Sequence, residues 1–438
     1  MSSDRPAGWE NRFDPPKMTL MIDKLMNYFI IVGGIAVIVA VMGIFVFILA
    51  EILPLFKGAE VKHAFDYTVP QADYVALGVD EWTELPMLIE KNGQPVFLDL
   101  AEGHAPLRPG VDFLSDHTVT AVFYNDGTEQ IVYGTDSGAC QITDVIYEPT
   151  FDDTGKRKIT VTLKEGPSYE LDDEGGRILQ LAYGGSSERK MVVGLVENDG
   201  ELHLKMITLK LKKTLFGKAK ISVDQQVDLT DQVKGKVQKV LVSSNGEMVL
   251  VISEQGSVHY FQVDDEVELV QTFSPFAGKT TTAISSADFV FGDVSVNLIH
   301  EDGEHVIYSL YIPEGKQQRL FGKTKSFRDF AGGATMYVKS LRNKAFLIGN
   351  GNHVQLCYST TESIRWQDKL DFEPRLAGMA SKYNSILFLD DQNKLQVFTL
   401  HDPHPEAGFT AFFRDVWYEG YTHPDTVWQS TGATDEFE

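Results

Sequence analysis

The sequence predicts a mainly β fold, a WD40-like β-propeller of about seven blades preceded by one transmembrane helix. Two observations predict it. Leu25–Ala50 runs for 26 residues without Asp, Glu, Lys, Arg or His. Beyond it, a pattern of apolar run, tight polar turn and second apolar run returns seven times.

The apolar stretch, LMNYFIIVGGIAVIVAVMGIFVFILA, is bounded by Lys24 and Glu51. At about 1.5 Å per residue it is long enough for a bilayer core of roughly 30 Å. Only a helix satisfies its own backbone in lipid, so a spanning helix is expected. A cleaved signal fits less well, because its apolar core runs only about 7–15 residues. Arg5, Arg12, Lys17 and Lys24 precede the stretch, whereas only Lys57 and Lys62 closely follow it. The positive-inside rule then keeps the N-terminus cytoplasmic and puts the bulk outside, which in a bacterium is the periplasm. Residues 1–24, with Pro6, Pro15 and Pro16, read as a flexible cytoplasmic tail, and Pro54 ends the helix. Gly33–Gly34 and Ala36/Ala40 leave room for close approach of another helix. Residues 51–70 read as a linker.

Residues 71–405 carry the repeats: Met87–Leu100, Ile131–Val145, Met191–Leu209, Met248–Val263, Val294–Ile312, Ala345–Thr360 and Ile386–Leu400. Their turns fall at Gly93, Gly138, Gly200, Gly256, Gly303, Gly351 and Asn393, residue types that tolerate positive φ. The spacings are 45, 62, 56, 47, 48 and 42 residues, with a mean of 50. That is the length of a four-stranded propeller blade. Val119–Tyr124, Ile178–Tyr183, Val237–Ser243 and Leu376–Ala380 supply further strands, and ITVTLKEGPSYELDD reads as an additional hairpin. A β-sandwich array is the alternative, but it needs no such period. Cys140 and Cys357 fall in the second and sixth repeats, too far apart for a disulfide, and are expected as buried thiols.

The net charge of −23 argues against nucleic acid and against an anionic membrane surface. His401, Asp402 and His404 have ligand types but sit in a Pro-rich loop, so no metal is expected. His300 and His305 flank a turn and are expected to face solvent or the ring. The serine pairs 186/187, 243/244 and 285/286 come without a certifiable His/Asp partner, so no catalysis is expected. GKTTT (Gly278–Thr282) and GGAT (Gly332–Thr335) lack the P-loop pattern and read as connections between blades. No cofactor motif is present.

Two stretches stand out as candidate partner-binding sites. His203–Lys220 carries Lys205, Lys210, Lys212, Lys213, Lys218 and Lys220. It reads as an exposed hairpin whose lysines discourage edge pairing, or as a docking patch for an acidic partner or lipid headgroups. Against it, Asp172–Gly176 and Asp264–Glu268 read as solvated acidic loops. Residues 406–438 are aromatic, with Trp417, Tyr418, Tyr421 and Trp428. They read as a strand packed on the propeller, or as a segment leading back to the membrane interface.

The helix with its exit, GGIAVIVAVMGIFVFILAEILPLFKGAEV, and the tail VWYEGYTHPDTVWQSTGATDEFE resemble one family. It is the long-form inner-membrane permease of bacterial phosphate ABC transporters, PstC type. The resemblance implies an anchor helix, a large periplasmic β-domain and an aromatic lead into the permease helices. It implies as partners a permease core, its ATPase complex and the periplasmic phosphate-binding protein. No second spanning segment or ATPase-coupling loop is present, so an accessory or N-terminal portion, not a complete pathway, is expected. A stand-alone anchored propeller scaffold for envelope protein interactions is the alternative.

Overall fold

The computed structural model describes residues 16–402, except 54–56, 101–102, 104, 152, 154, 214–218, 316, 328–329, 331, 341–344 and 359–362. The chain divides into two units, of which Ala59–Asp402 is one.

In the other unit, helix α1 spans Lys17–Ile52, 36 residues. It is long and apolar enough to cross a membrane, and its apolar side chains are exposed all round. It begins earlier than expected. Residues 17–24 hold no Gly or Pro to break the helix, and Pro16 stands at its N-cap. The tail assignment is therefore corrected to the residues before Pro16, which lie outside the described part. The helix stops short of Pro54, as expected.

Residues 59–402 form seven sheets that repeat as blades. Blade 1 is β2 (Tyr74–Gly78), β3 (Met87–Glu90) and β4 (Pro95–Phe97). Blade 2 is β5 (Val119–Asn125), β6 (Gln130–Thr135), β7 (Ala139–Phe151) and β8 (Arg157–Glu170), entered through helix α2 (Asp112–Asp116). Blade 3 is β9 (Arg177–Gly185), β10 (Arg189–Asn198), β11 (Glu201–Lys213) and β12 (Ala219–Asp228). Blade 4 is β13 (Val237–Val242), β14 (Met248–Ser253), β15 (Val258–Val263) and β16 (Val267–Phe273). Blade 5 is β17 (Ile284–Val290), β18 (Ser295–His300), β19 (His305–Tyr311) and β20 (Leu320–Phe327). Blade 6 is β21 (Met336–Lys339), β22 (Ala345–Asn350), β23 (His353–Tyr358) and β24 (Ser363–Lys369). Blade 7 is β25 (Pro374–Met379), β26 (Ser385–Asp390) and β27 (Lys394–His401), with β1 (Glu60–Thr68) as its outer strand.

That last strand corrects the linker assignment for residues 51–70. EVKHAFDYT alternates too weakly to announce itself, being exposed along most of its length. Its ladder to β27 pairs Glu60 with His401 and Thr68 with Lys394. The chain thus closes its ring by joining its first strand to its last three.

All seven predicted hairpins join the second strand of a blade to the third, and all seven turn residues have positive φ. Gly256 shows why one must be glycine. At φ 73°, a Cβ there would collide with the Thr282 carbonyl in the connection to the next blade. Among the described residues blade 1 shows no regular outer strand, only the bridge Phe97–Leu107, because Pro106 and Pro109 cannot donate to a ladder. The additional hairpin expected at ITVTLKEGPSYELDD is absent. Gly166–Pro167 falls inside β8, which stays paired with β7 past a register shift between Gln141 and Thr143.

The core lies between blades, where apolar faces of neighbouring sheets meet. Leu250, Tyr260 and Val258 of blade 4 pack with Phe289, Leu298 and Phe321 of blade 5. Cys140 in blade 2 and Cys357 in blade 6 are buried and not joined by a disulfide. Burial pushes the Cys140 thiol up to about 12.

His300 and His305 are buried, 3% and 2% exposed, correcting their expected exposure. The His305 ring lies between Phe330 and Phe346, and burial holds it at about 4 against an ordinary 6.5. The unfolded chain binds this proton below 6.5 and the folded chain does not, so stability declines as pH falls from 6.5 to 4. The shift corresponds to about 3 kcal/mol at about 1.4 kcal/mol per pH unit. A His305→Phe variant is expected to flatten that part of the stability–pH curve, measured by urea unfolding at pH 7, 5.5 and 4.5. An unchanged slope would contradict the assignment.

Candidate functional site

Each blade's strands run between two faces of the ring. One face carries the turns between second and third strands and the connections between blades. The other carries the remaining turns. Because Glu60 pairs with His401, the chain enters and leaves the propeller on this second face, at one point of blade 7.

A buried ion pair fixes that point. The Arg365 guanidinium on β24 of blade 6 grips the Asp402 carboxylate, with Nη2 2.7 Å from Oδ1 and Nε 3.2 Å from Oδ2. Arg365 is 6% exposed and Asp402 3%. The Tyr383 hydroxyl, in the turn between β25 and β26, donates to Asp402 Oδ2 at 3.2 Å. The Ala59 N–H donates to the Arg365 carbonyl at 2.6 Å. One residue of blade 6 therefore holds both the incoming and the outgoing chain. Asp402 was read from sequence only as a weak ligand type. Arg365 carried no signal, since its partner lies on a different blade.

Polar bonds stitch several of the inner strands to the next blade. The Thr120 hydroxyl donates to Ile178 O at 2.7 Å, Gln238 Nε2 to Ile284 O at 2.8 Å, and Lys239 Nζ to Ala287 O at 2.8 Å. Lys339 Nζ of blade 6 sits 3.2 Å from Asp288 of blade 5. Burial lowers Lys239 and raises Asp126, the latter opposed by the Lys339 charge. Among the described residues no group of His, Cys, Asp and Glu could hold a metal.

The lysine stretch lies on β11 and β12 at the outer side of blade 3, and its described lysines are divided between the two faces of β11. Lys205, half-buried, sits 3.0 Å from Asp228 and 3.6 Å from Asp172. Lys210 sits 2.9 Å from Asp224 on the opposite face of β11. Lys212 is exposed, in register with Lys220. Lys218 and the side chains of Lys213 and Lys220 lie outside the described residues, as do Trp417, Tyr418, Tyr421 and Trp428. GKTTT and GGAT lie in connections between blades, as their composition predicts. Ser243 Oγ accepts from the Met248 N–H and Ser285 Oγ from the Ala334 N–H, which are turn and packing roles.

Truncating one partner of a buried ion pair leaves the other unpaired and costs about 3–5 kcal/mol. Arg365→Leu is therefore expected to destabilise the propeller by that order and to speed amide exchange in β1. Arg365→Leu/Asp402→Leu should recover much of the stability. Thermal unfolding with hydrogen exchange reads both, and a double variant no better than the single would contradict the pairing.

No family model matches the chain, and no curated protein matches it. Among solved structures it is similar to the β-propeller domain of Cps50 (Swd1) from Myceliophteria thermophila. The identity is 8% and the TM-score 0.49, over 78% of this chain and 100% of that one. At that identity the likeness concerns the fold alone.

Proposed function

We propose that this chain is the membrane-anchored, non-catalytic periplasmic part of a phosphate ABC transporter permease. In this reading it is a single-pass inner-membrane protein with its N-terminus in the cytoplasm. Its propeller braces the permease or receives the periplasmic phosphate-binding protein, and it does not form the phosphate pathway. The observation that carries the reading is the pairing of Glu60 with His401. A domain whose two ends leave side by side is readily inserted between other segments, membrane segments included. The anchor and aromatic tail that resemble the PstC-type permease supply the identity of those segments. Propellers host many functions, so the transport assignment rests on that resemblance.

Affinity purification of the intact chain in mild detergent from phosphate-starved cells tests it. The expected co-purifying proteins are a multi-spanning permease and its ATPase. Recovery of neither, with the transporter abundant in the same membranes, would overturn the transport reading and leave an anchored scaffold.

A further inference from the structure

The cleft between blades 3 and 4 is incompletely filled at the face that carries the second-to-third turns. Leu195 on β10 and Leu202 and Leu204 on β11 share the side of blade 3 that looks toward blade 4. Val233, in the connection to blade 4, and Val237, at the start of β13, stand opposite. These five side chains help to line an open cavity of about 330 Å³. That is the small end of the range for ligand sites, about 300–1,000 Å³, and suits one large side chain.

Four other connections each bring a phenylalanine into the apolar cluster between their blades. They are Phe113 between blades 1 and 2, Phe276 between 4 and 5, Phe330 between 5 and 6, and Phe372 between 6 and 7. Residues 229–236, LTDQVKGK, hold no aromatic residue and offer Leu229 and Val233 to their cleft. The shorter link from blade 2 to blade 3 lacks an aromatic too, but Leu171 and Asp172 close it, 0% and 1% exposed.

The surroundings of the cavity are acidic. Asp173, Glu174, Glu197, Asp199, Glu201 and Asp231 lie on the flanking turns and strand ends. Glu197 stands across the ladder from Leu202 and so shares its side of the sheet. Of the nearby cations, Lys236 sits 2.6 Å from Glu254, and Lys205 is shared between Asp172 and Asp228. Arg177 and Lys234 then stand against the six carboxylates.

We propose that this cavity receives an aromatic side chain of a basic partner protein, a phenylalanine or tryptophan flanked by lysine or arginine. The partner supplies the ring that four other connections supply from within the chain. The carboxylates favour its cations and speed the encounter. The site belongs to the propeller alone and does not depend on the phosphate assignment.

A phage-displayed library of random heptapeptides, panned on the intact chain in nanodiscs of neutral lipid with empty discs as counter-selection, tests it. Enriched peptides are expected to carry an aromatic residue next to Lys or Arg. Replacing that aromatic by Ala in the tightest peptide should weaken binding about tenfold or more, as burial of a ring predicts. Val233→Phe, which puts a ring into the cavity, should raise the melting temperature and weaken the same peptide about tenfold or more. Asp199→Asn/Asp231→Asn, at exposed positions, leaves the packing untouched and should weaken the peptide about threefold at low salt and less at high salt. No enrichment over empty discs, enrichment of acidic or aromatic-free peptides, or full binding to folded Val233→Phe chain would each overturn the proposal. Should Val233→Phe fail to fold, unchanged affinity of the Asp199→Asn/Asp231→Asn chain at low salt would overturn it.

Discussion

The ladder between β1 and β27 is the constraint on which the rest of the propeller depends. Each blade packs apolar side chains against the next, so an open ring would leave the outward faces of its first and last blades wet. Joining a strand from the beginning of the domain to three from its end makes opening cost the whole ladder, register by register. The same ladder dictates where the chain enters and leaves, and so turns a fold property into a topological one. A propeller closed this way has both ends at one place on one face.

Arg365 reinforces that place from the neighbouring blade. Its guanidinium holds Asp402 while its carbonyl takes the Ala59 N–H, so blades 6 and 7 and both chain ends share one residue. Desolvating such a pair is expensive, and a buried pair is no proof of net stabilisation. Its geometric consequence is clearer than its energetic one, because bidentate pairing gives the outgoing chain one direction. The inner-strand bonds from Thr120, Gln238 and Lys239 act likewise, tying blade 2 to blade 3 and blade 4 to blade 5.

Much of this architecture was legible in the sequence because the second-to-third hairpin is its most regular part. Gly93, Gly138, Gly200, Gly256, Gly303, Gly351 and Asn393 all meet a positive-φ demand, and a local demand leaves a local mark. The outer strands were harder. EVKHAFDYT buries little and owes its strand state to a partner more than 300 residues away, so composition pointed to a linker. β8 was misread for the opposite reason, since Gly166–Pro167 carries a turn signature that pairing with β7 overrides. Of the candidate site residues, the lysines of His203–Lys220 are real charges on a real hairpin. Strand alternation and Asp172, Asp224 and Asp228 separate Lys205 from Lys210, which a count of lysines does not reveal.

The central claim is that the strand after the anchor closes the last blade. It is tested most directly by placing cysteines at Lys62 and Thr399, which face each other in the ladder. Antiparallel partners stand about 4.5–5.5 Å apart at Cα, within disulfide reach. Lys62→Cys/Thr399→Cys is expected to form an intramolecular disulfide under mild oxidation, and Lys62→Cys/Lys394→Cys, at opposite ends of the ladder, is not. Equal cross-linking of both pairs, or of neither, would contradict the closure.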